Sequence, residues 1–416
     1  MSDFAPALRV PEFRRWWLAL LAMGIGMQML EVAIGWEVYS LHRSPLDLGW
    51  IGLAEFTPTF VLALPAGHLA DRLPRRLVFG AALTLGAGVG SGLAAVSASG
   101  QTSVVPYLAL AAGSGTVMAL GTPAARAMAP TLVPASVLPN AMALRTVAGQ
   151  TGQVLGPALG GVLYAASPVL VYSLAAGMCL VAAVLVVGVR GQAPASPPTP
   201  EAPRLAGVLE GLRLVRRTPV ILGAILLDLL AVLFGGAVAL LPVFARSILH
   251  VGPAGLGALR AAPAVGALVA AVAITRWPIG RRAGRTLLTV VGVYGVAIIV
   301  FGLSRFFLLS LVALAVSGFA DLFSVNIRIT TVTLATPDRL RGRVSAVEMV
   351  FVNASNQLGA FESGLAAFLV GAVPAVIGGG VITVLIAASW RRFFPDLARM
   401  DRFQDAAPAA VVPTEG

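Results

Sequence analysis

The sequence predicts an all-α membrane protein with 12 transmembrane helices arranged as two six-helix halves, and three observations lead there. Apolar residues make up 58% of the 416-residue chain and charged residues 11%, whereas soluble domains average ~45–50% and ~25%; the mean hydropathy is +0.89. Apolar stretches of about 20 residues, the length that a bilayer core of ~30 Å demands, recur along nearly the whole chain. The second half also repeats features of the first at an offset of about 203 residues, as internally duplicated membrane folds do.

In chain order, spans are expected at 16–40, 49–70, 77–98, 104–126, 140–165 and 168–189, then at 220–245, 255–276, 286–304, 306–334, 344–369 and 372–390. Residues 1–190 thus form the first six-helix half and 219–393 the second. Between them, 191–218 read as a cytoplasmic linker: 192–203 are rich in Pro, Ala and Ser, and Leu205 to Arg217 alternates Leu and Val with Arg and Glu at helical spacing, as an amphipathic surface helix would. Residues 394–416 are a cytoplasmic tail. Arg residues cluster in every second connection: around Arg14, Arg15, then Arg72, Arg75, Arg76, then Arg213, Arg216, Arg217, then Arg281, Arg282, then Arg341, Arg343, then Arg391, Arg392. The positive-inside rule puts these loops and both termini in the cytoplasm, which requires an even number of spans.

The net charge of +11 is therefore a topology signal and not a nucleic-acid footprint. All 29 basic residues are Arg. Without Lys, neither a phosphate-binding P-loop nor a Schiff-base cofactor site can be built, so no cofactor is expected and ATP-driven pumping is excluded. Cys179 lies in an apolar run and reads as a small buried hydrophobe. His42, His68 and His250 fall at segment ends without ligand spacing, so no metal site is expected. No nucleophile–base spacing is present either, so the chain does not read as an enzyme.

The repeat is carried by Pro134, Leu155, Gly156 and Gly161, which reappear as Pro337, Leu358, Gly359 and Gly364, by Gly52 and Pro58, which reappear as Gly257 and Pro263, and by Arg126, which reappears as Arg328. Ionisable groups inside spans cost roughly 2.5–3.5 kcal/mol on insertion scales and should face the interior. They are Glu31, Glu37, Glu55, Arg145, Asp228, Arg260, Asp321, Glu348 and Glu362. Glu55 and Arg260 stand at repeat-related positions with opposite charge, as do Arg145 and Glu348, so charge pairs among these four are expected near the interface of the halves. Glu31, with Gln28 on the same helix, is the first choice for proton coupling; Asp228 and Asp321 follow. Trp36, Gln150, Gln153, Asn353, Asn356 and Glu362 are candidates to line a substrate cavity.

Three stretches carry a family resemblance. Gly67 to Arg76, with Asp71, Arg72, Arg75 and Arg76 in place and Pro74 where Gly is usual, resembles the signature between helices 2 and 3 of the major facilitator superfamily. Gly152, Gly156, Pro157, Gly160 and Gly161 resemble its exporter motif, with Ala143 replacing the first Gly. Arg341 to Ala346, Ser355 to Gly364 and Arg391 to Leu397 are similar to the branch holding bacterial enterobactin exporters and macrolide-efflux proteins. The resemblance implies the major facilitator fold in a bacterial inner membrane, and a secondary transporter complete as a monomer whose partners are a small-molecule substrate, protons and lipid. It also implies cytoplasmic gating by Gly67, Asp71, Arg72, Arg75, Arg76, Arg341 and Arg343, with the Asp71 carboxylate facing the positive N-terminus of the eleventh span. Export of a siderophore, drug or similar amphipathic solute is the expected activity; import of a nutrient or lysophospholipid and a non-transporting sensor or scaffold are the alternatives. Ala109 to Ala119 lacks the intramembrane Arg common in drug/proton antiporters.

Overall fold

The computed structural model describes residues 5–190, 205–277 and 281–406, without the side chains of 63, 64, 66–72, 205–208 and Gln404. The expected linker 192–203, the side chains of Gly67, Asp71 and Arg72, and the tail beyond 406 therefore lie outside the described residues. Among the described residues there is no β-strand.

The first half supplies α1 (Pro11–His42), α2 (Pro45–Arg72), α3 (Arg75–Ala98), α4 (Val105–Met128), α5 (Leu138–Ala166) and α6 (Pro168–Val187). The amphipathic stretch forms α7 (Leu205–Arg217) with the bounds its periodicity predicts. The second half supplies α8 (Pro219–Gly235), α9 (Leu241–Val243), α10 (Gly252–Arg276), α11 (Ala283–Leu303), α12 (Phe307–Ala335), α13 (Arg341–Val370), α14 (Ala372–Phe393) and α15 (Pro395–Arg399). Proline opens α1, α4, α5, α6 and α8, where its fixed φ suits the first turn and its missing N–H leaves no bond unmade. The Ser167 hydroxyl caps α6 by accepting from Leu170 N at 3.4 Å.

Two boundaries correct the sequence reading. Helix α1 starts at Pro11, so Arg14 and Arg15 stand on its first turns and not in a loop ahead of it. The expected span 220–245 holds as one crossing segment, Pro219–Ile248, but its helix is discontinuous: α8 stops at Gly235, a 3-10 turn Ala237–Leu240 follows, and after α9 the backbone widens into a π-turn over Phe244–Ile248. Gly235, Gly236 and Pro242 explain the break, since adjacent glycines weaken a helix and proline removes a donor.

Nine segments of the described residues are long and apolar enough to cross a bilayer. Helices α2, α5 and α13 are of similar length and are not among the nine; α5 and α13 carry Arg145, Gln150 and Gln153, and Glu348, Asn353, Asn356 and Glu362. These two are the polar helices of the two halves.

The chain divides into two compact units. The first comprises Met1–Pro200 with Val238–Ala264 and Gly364–Ala372; the second comprises Glu201–Ala237, Val265–Ser363 and Val373–Gly416. Contacts therefore do not follow the sequence repeat: two stretches of the second half pack with the first.

In the first unit α1 packs on α5 and α6, α3 on α4 and α6, and α2 on α4. The α1/α5 seam rests on the glycine motif. A Cβ on Gly152 would stand 3.2 Å from Gly24 Cα, one on Gly156 3.0 Å from the Ile25 carbonyl, and one on Gly160 3.0 Å from Met29 Cα, so the two backbones touch as small-residue faces allow.

The second unit repeats this device. A Cβ on Gly359 would stand 3.0 Å from the Leu233 carbonyl of α8, the repeat-related contact to Gly156 on α1. Its core gathers Ile221, Ile225, Leu287, Val291, Ile327 and Trp390, and the Trp390 indole donates to the Gly223 carbonyl at 3.1 Å.

Candidate functional site

Polar groups in these apolar helices collect in two places, one in each unit. In the first unit Arg260 of α10 forms an ion pair with Glu31 of α1. Arg260 is 13% exposed and Glu31 38%, so Glu31 is paired and part-exposed. About one and a half turns further along α1, the Trp36 ring, 8% exposed, lies 5.4 Å beneath the guanidinium of Arg246, which also donates to Ser40 Oγ. Tyr39 Oη and Ser247 Oγ share a hydrogen bond of 2.9 Å. Arg246 and Ser247 both sit on the π-turn, a geometry that re-aims side chains and recurs at functional sites.

Glu37, on the same helix, is buried and bonded through both carboxylate oxygens: Tyr107 Oη donates at 2.8 Å and Tyr172 Oη at 2.6 Å. These phenols tie α1 to α4 and α6. Where α5 meets α10, a Cβ on Gly161 would stand 2.9 Å from Gly257 Cα; at the repeat-related crossing, one on Gly364 would stand 2.8 Å from Gly49 Cα.

In the second unit Arg328 of α12, 4% exposed, is the hub. Its Nε lies 3.4 Å from Asp228 Oδ1 of α8, and a terminal nitrogen pairs with Glu348 of α13. Asp321, two turns earlier on α12, is within electrostatic reach of both Arg328 and Asp228. Two carboxylates thus contact one guanidinium, with a third in electrostatic reach. The Thr331 hydroxyl, fully buried one turn beyond Arg328, has no hydrogen-bond partner.

Two of the four residues expected in charge pairs form ion pairs with partners outside that set. Arg260 binds Glu31 and Glu348 binds Arg328, because repeat symmetry relates positions and does not place them in contact. Glu55 lies in α2 with its backbone against Gly115 of α4, where a Cβ would come within 3.0 Å of Glu55 Cα; Arg145 is half-buried in α5. Of the cavity candidates, Gln153, Asn353 and Asn356 are exposed, Glu362 is half-buried, and Gln150 holds a buried Oε1 without a partner. Gln150 and Asn353 stand at the repeat offset, as do Gln153 and Asn356.

Of the gating residues, Arg75 donates to the Ala127 carbonyl at 2.9 Å and Arg76 to the Val189 carbonyl at 3.2 Å. Arg341 pairs with Asp338 at 2.9 Å, and Arg343 with Glu210 of α7. Sequence reasoning missed Arg246, Tyr107, Tyr172 and Glu210, and it noted Arg328 only as a repeat match. An Arg inside an apolar span was the signal for Arg328; nothing in the sequence marks the two tyrosines.

Comparison with known proteins bears on this arrangement. The model of the transmembrane secretion effector family matches residues 1–413. The enterobactin exporter EntS of Citrobacter koseri is 28% identical over 393 residues, 92% of this chain and 93% of that protein. In fold, the chain resembles a bacterial homolog of the human lysosomal transporter Spinster, with a TM-score of 0.74 at 15% identity, covering 95% of this chain and 99% of that one. The nucleoside transporter NupG gives a TM-score of 0.71 at 12% identity, covering 92% and 99%.

Proposed function

Since the chain belongs to the transmembrane secretion effector family and is a membrane transporter of the major facilitator type, related to enterobactin exporters, we propose that it is a proton-coupled exporter. The cargo is a siderophore, a drug or a similar amphipathic solute, moved across the bacterial inner membrane by alternating access. The reading includes 12 spans, both termini in the cytoplasm and a working monomer.

The observation that carries it is the cluster on Arg328. With every group ionised, Asp228, Asp321, Glu348 and Arg328 hold a net charge of −2 where little water reaches, and an ion pair repays its desolvation only when charges balance. Proton uptake moves the cluster toward neutrality and frees Arg328 to favour one carboxylate over another. Asp228 and Glu348 belong to α8 and α13, so a change of partner acts on the first and fifth helices of that half, which the glycine contact at Gly359 already holds together. A scaffold gains nothing from such a cluster.

Everted membrane vesicles with an imposed proton gradient test the proposal, using a panel of siderophores and dyes. Solute accumulation with proton release is expected, and both should fall when Asp228→Asn is introduced. Solute movement indifferent to the gradient, or movement only out of the vesicles, would replace this reading with an uncoupled carrier or an importer; no movement of any solute would leave a sensor or scaffold.

A further inference from the structure

The ion pair between Arg260 and Glu31 has a property that the Arg328 cluster lacks: it is one-to-one, and its carboxylate is reachable. Glu31 lies 11 residues from the His42 end of α1 and Arg260 eight from the Gly252 end of α10, about 16 and 12 Å along the helix axes. That depth is inside the membrane, where a half-exposed ion pair cannot face hydrocarbon. The exposed edge of Glu31 therefore meets water. Transporters of this architecture hold their solute sites near the bilayer midplane. Closer to the His42 end of α1 a second guanidinium, Arg246, rests on Trp36 and Ser40; the described salt bridges give it no carboxylate, and Glu37 has both oxygens occupied by phenols.

We infer that Arg260 is the residue that selects anionic solutes, and that Glu31 is an internal anion which the solute displaces from it. The inference rests on the transport reading above and supplies its substrate class: an amphipath carrying a carboxylate, sulfonate, phosphate or acidic phenolate. The displaced Glu31 turns to water, at modest cost because it is already part-exposed, and the solute anion takes up the guanidinium donors.

Two dyes on one xanthene skeleton test this, carboxyfluorescein as the anion and rhodamine 6G as the cation, by fluorescence polarisation with the full chain in nanodiscs. The unmodified protein is expected to favour carboxyfluorescein. Glu31→Gln removes the competitor and should tighten carboxyfluorescein about tenfold, the worth of one charged hydrogen bond, while weakening rhodamine 6G. Glu31→Asp, which keeps the charge and shortens its reach, should fall between. Arg260→Gln should lose the anion preference, and Arg260→Lys should keep most of it. A general loss of packing would weaken both dyes together. A preference for rhodamine 6G, binding of neither dye, or a Glu31→Gln protein with unchanged or weaker carboxyfluorescein binding overturns the inference. Lost charge selectivity with proton-driven efflux intact overturns it alone; intact selectivity without proton-driven movement overturns only the coupling reading.

Discussion

Each half of the chain buries one carboxylate on its first helix, and the two are satisfied in opposite ways. Glu37 of α1, 8% exposed, is held by two neutral phenols, Tyr107 and Tyr172. Asp228 of α8, 6% exposed, faces the guanidinium of Arg328, which it shares with Glu348. Hydroxyl donors from two other helices fix a position, because each oxygen keeps its own partner. A single cation shared among several carboxylates fixes nothing uniquely, because its bonds can be redistributed when one acid takes a proton. The first arrangement suits a platform and the second a moving part.

Removing the shared cation should break this contrast most severely. Arg328→Gln leaves buried carboxylates without compensation, and breaking a buried pair costs about 3–5 kcal/mol. The expected outcome is a large drop in the thermal unfolding temperature of the purified protein together with loss of transport. Replacing Asp228 and Glu348 by Asn and Gln in the same chain should recover stability but not gradient-driven transport. Recovery of both would make the cluster a structural device like Glu37.

The glycine seam comes next. Gly156→Leu forces a side chain against the Ile25 carbonyl and Gln28 of α1, and overpacking of this kind costs about 1–3 kcal/mol. Gly359→Leu meets the backbone of α8 in the same manner, so the two substitutions should destabilise by similar amounts in a thermal melt. Unequal effects would separate the halves in rigidity as well as in charge. Tyr172→Phe is milder: one buried acceptor on Glu37 loses its donor, at about 1–3 kcal/mol, and transport by the surviving protein should keep its proton dependence. If that dependence changed, Glu37 would have to be counted among the moving parts.

Much of the fold was legible because helices in a bilayer must be apolar and about 20 residues long, and because Arg marks the alternate loops. The bounds of α7 could be read from periodicity, and a close helix approach at Gly152, Gly156 and Gly160 from the spacing of small residues, although not that the partner is α1. The site was legible as positions only. Periodicity places Arg260, Glu348 and Glu31 on helices, but which carboxylate meets which guanidinium depends on helix rotation and on the break after Gly235, and neither leaves a periodic trace. Tyr107 and Tyr172 look like any other aromatic in an apolar run until Glu37 is found between them.

The smallest effect expected is at Asp401, outside the spans, where the chain turns back onto the start of α11. Backbone N–H groups of Ala283 and Gly284 donate to the carbonyls of Asp401 and Met400 at 3.1 and 3.0 Å. The Asp401 carboxylate accepts from Arg282 N at 3.1 Å and from Arg281 Nε at 3.3 Å, so the first turn of a helix gains an anion. Desolvation pushes this carboxyl up, but the Arg282 N–H, the Arg281 guanidinium and the charge of Arg402 outweigh it and hold it below its ordinary range. A depressed carboxyl contributes stability that is present above the unfolded-state value and lost as pH falls through the folded one. Asp401→Asn should therefore leave unfolding nearly unchanged in acid, lower the unfolding temperature slightly near neutral pH, and leave dye selectivity and proton coupling untouched. A transport defect in that variant would tie this turn to the Arg328 cluster and count against reading it as a purely local cap on α11.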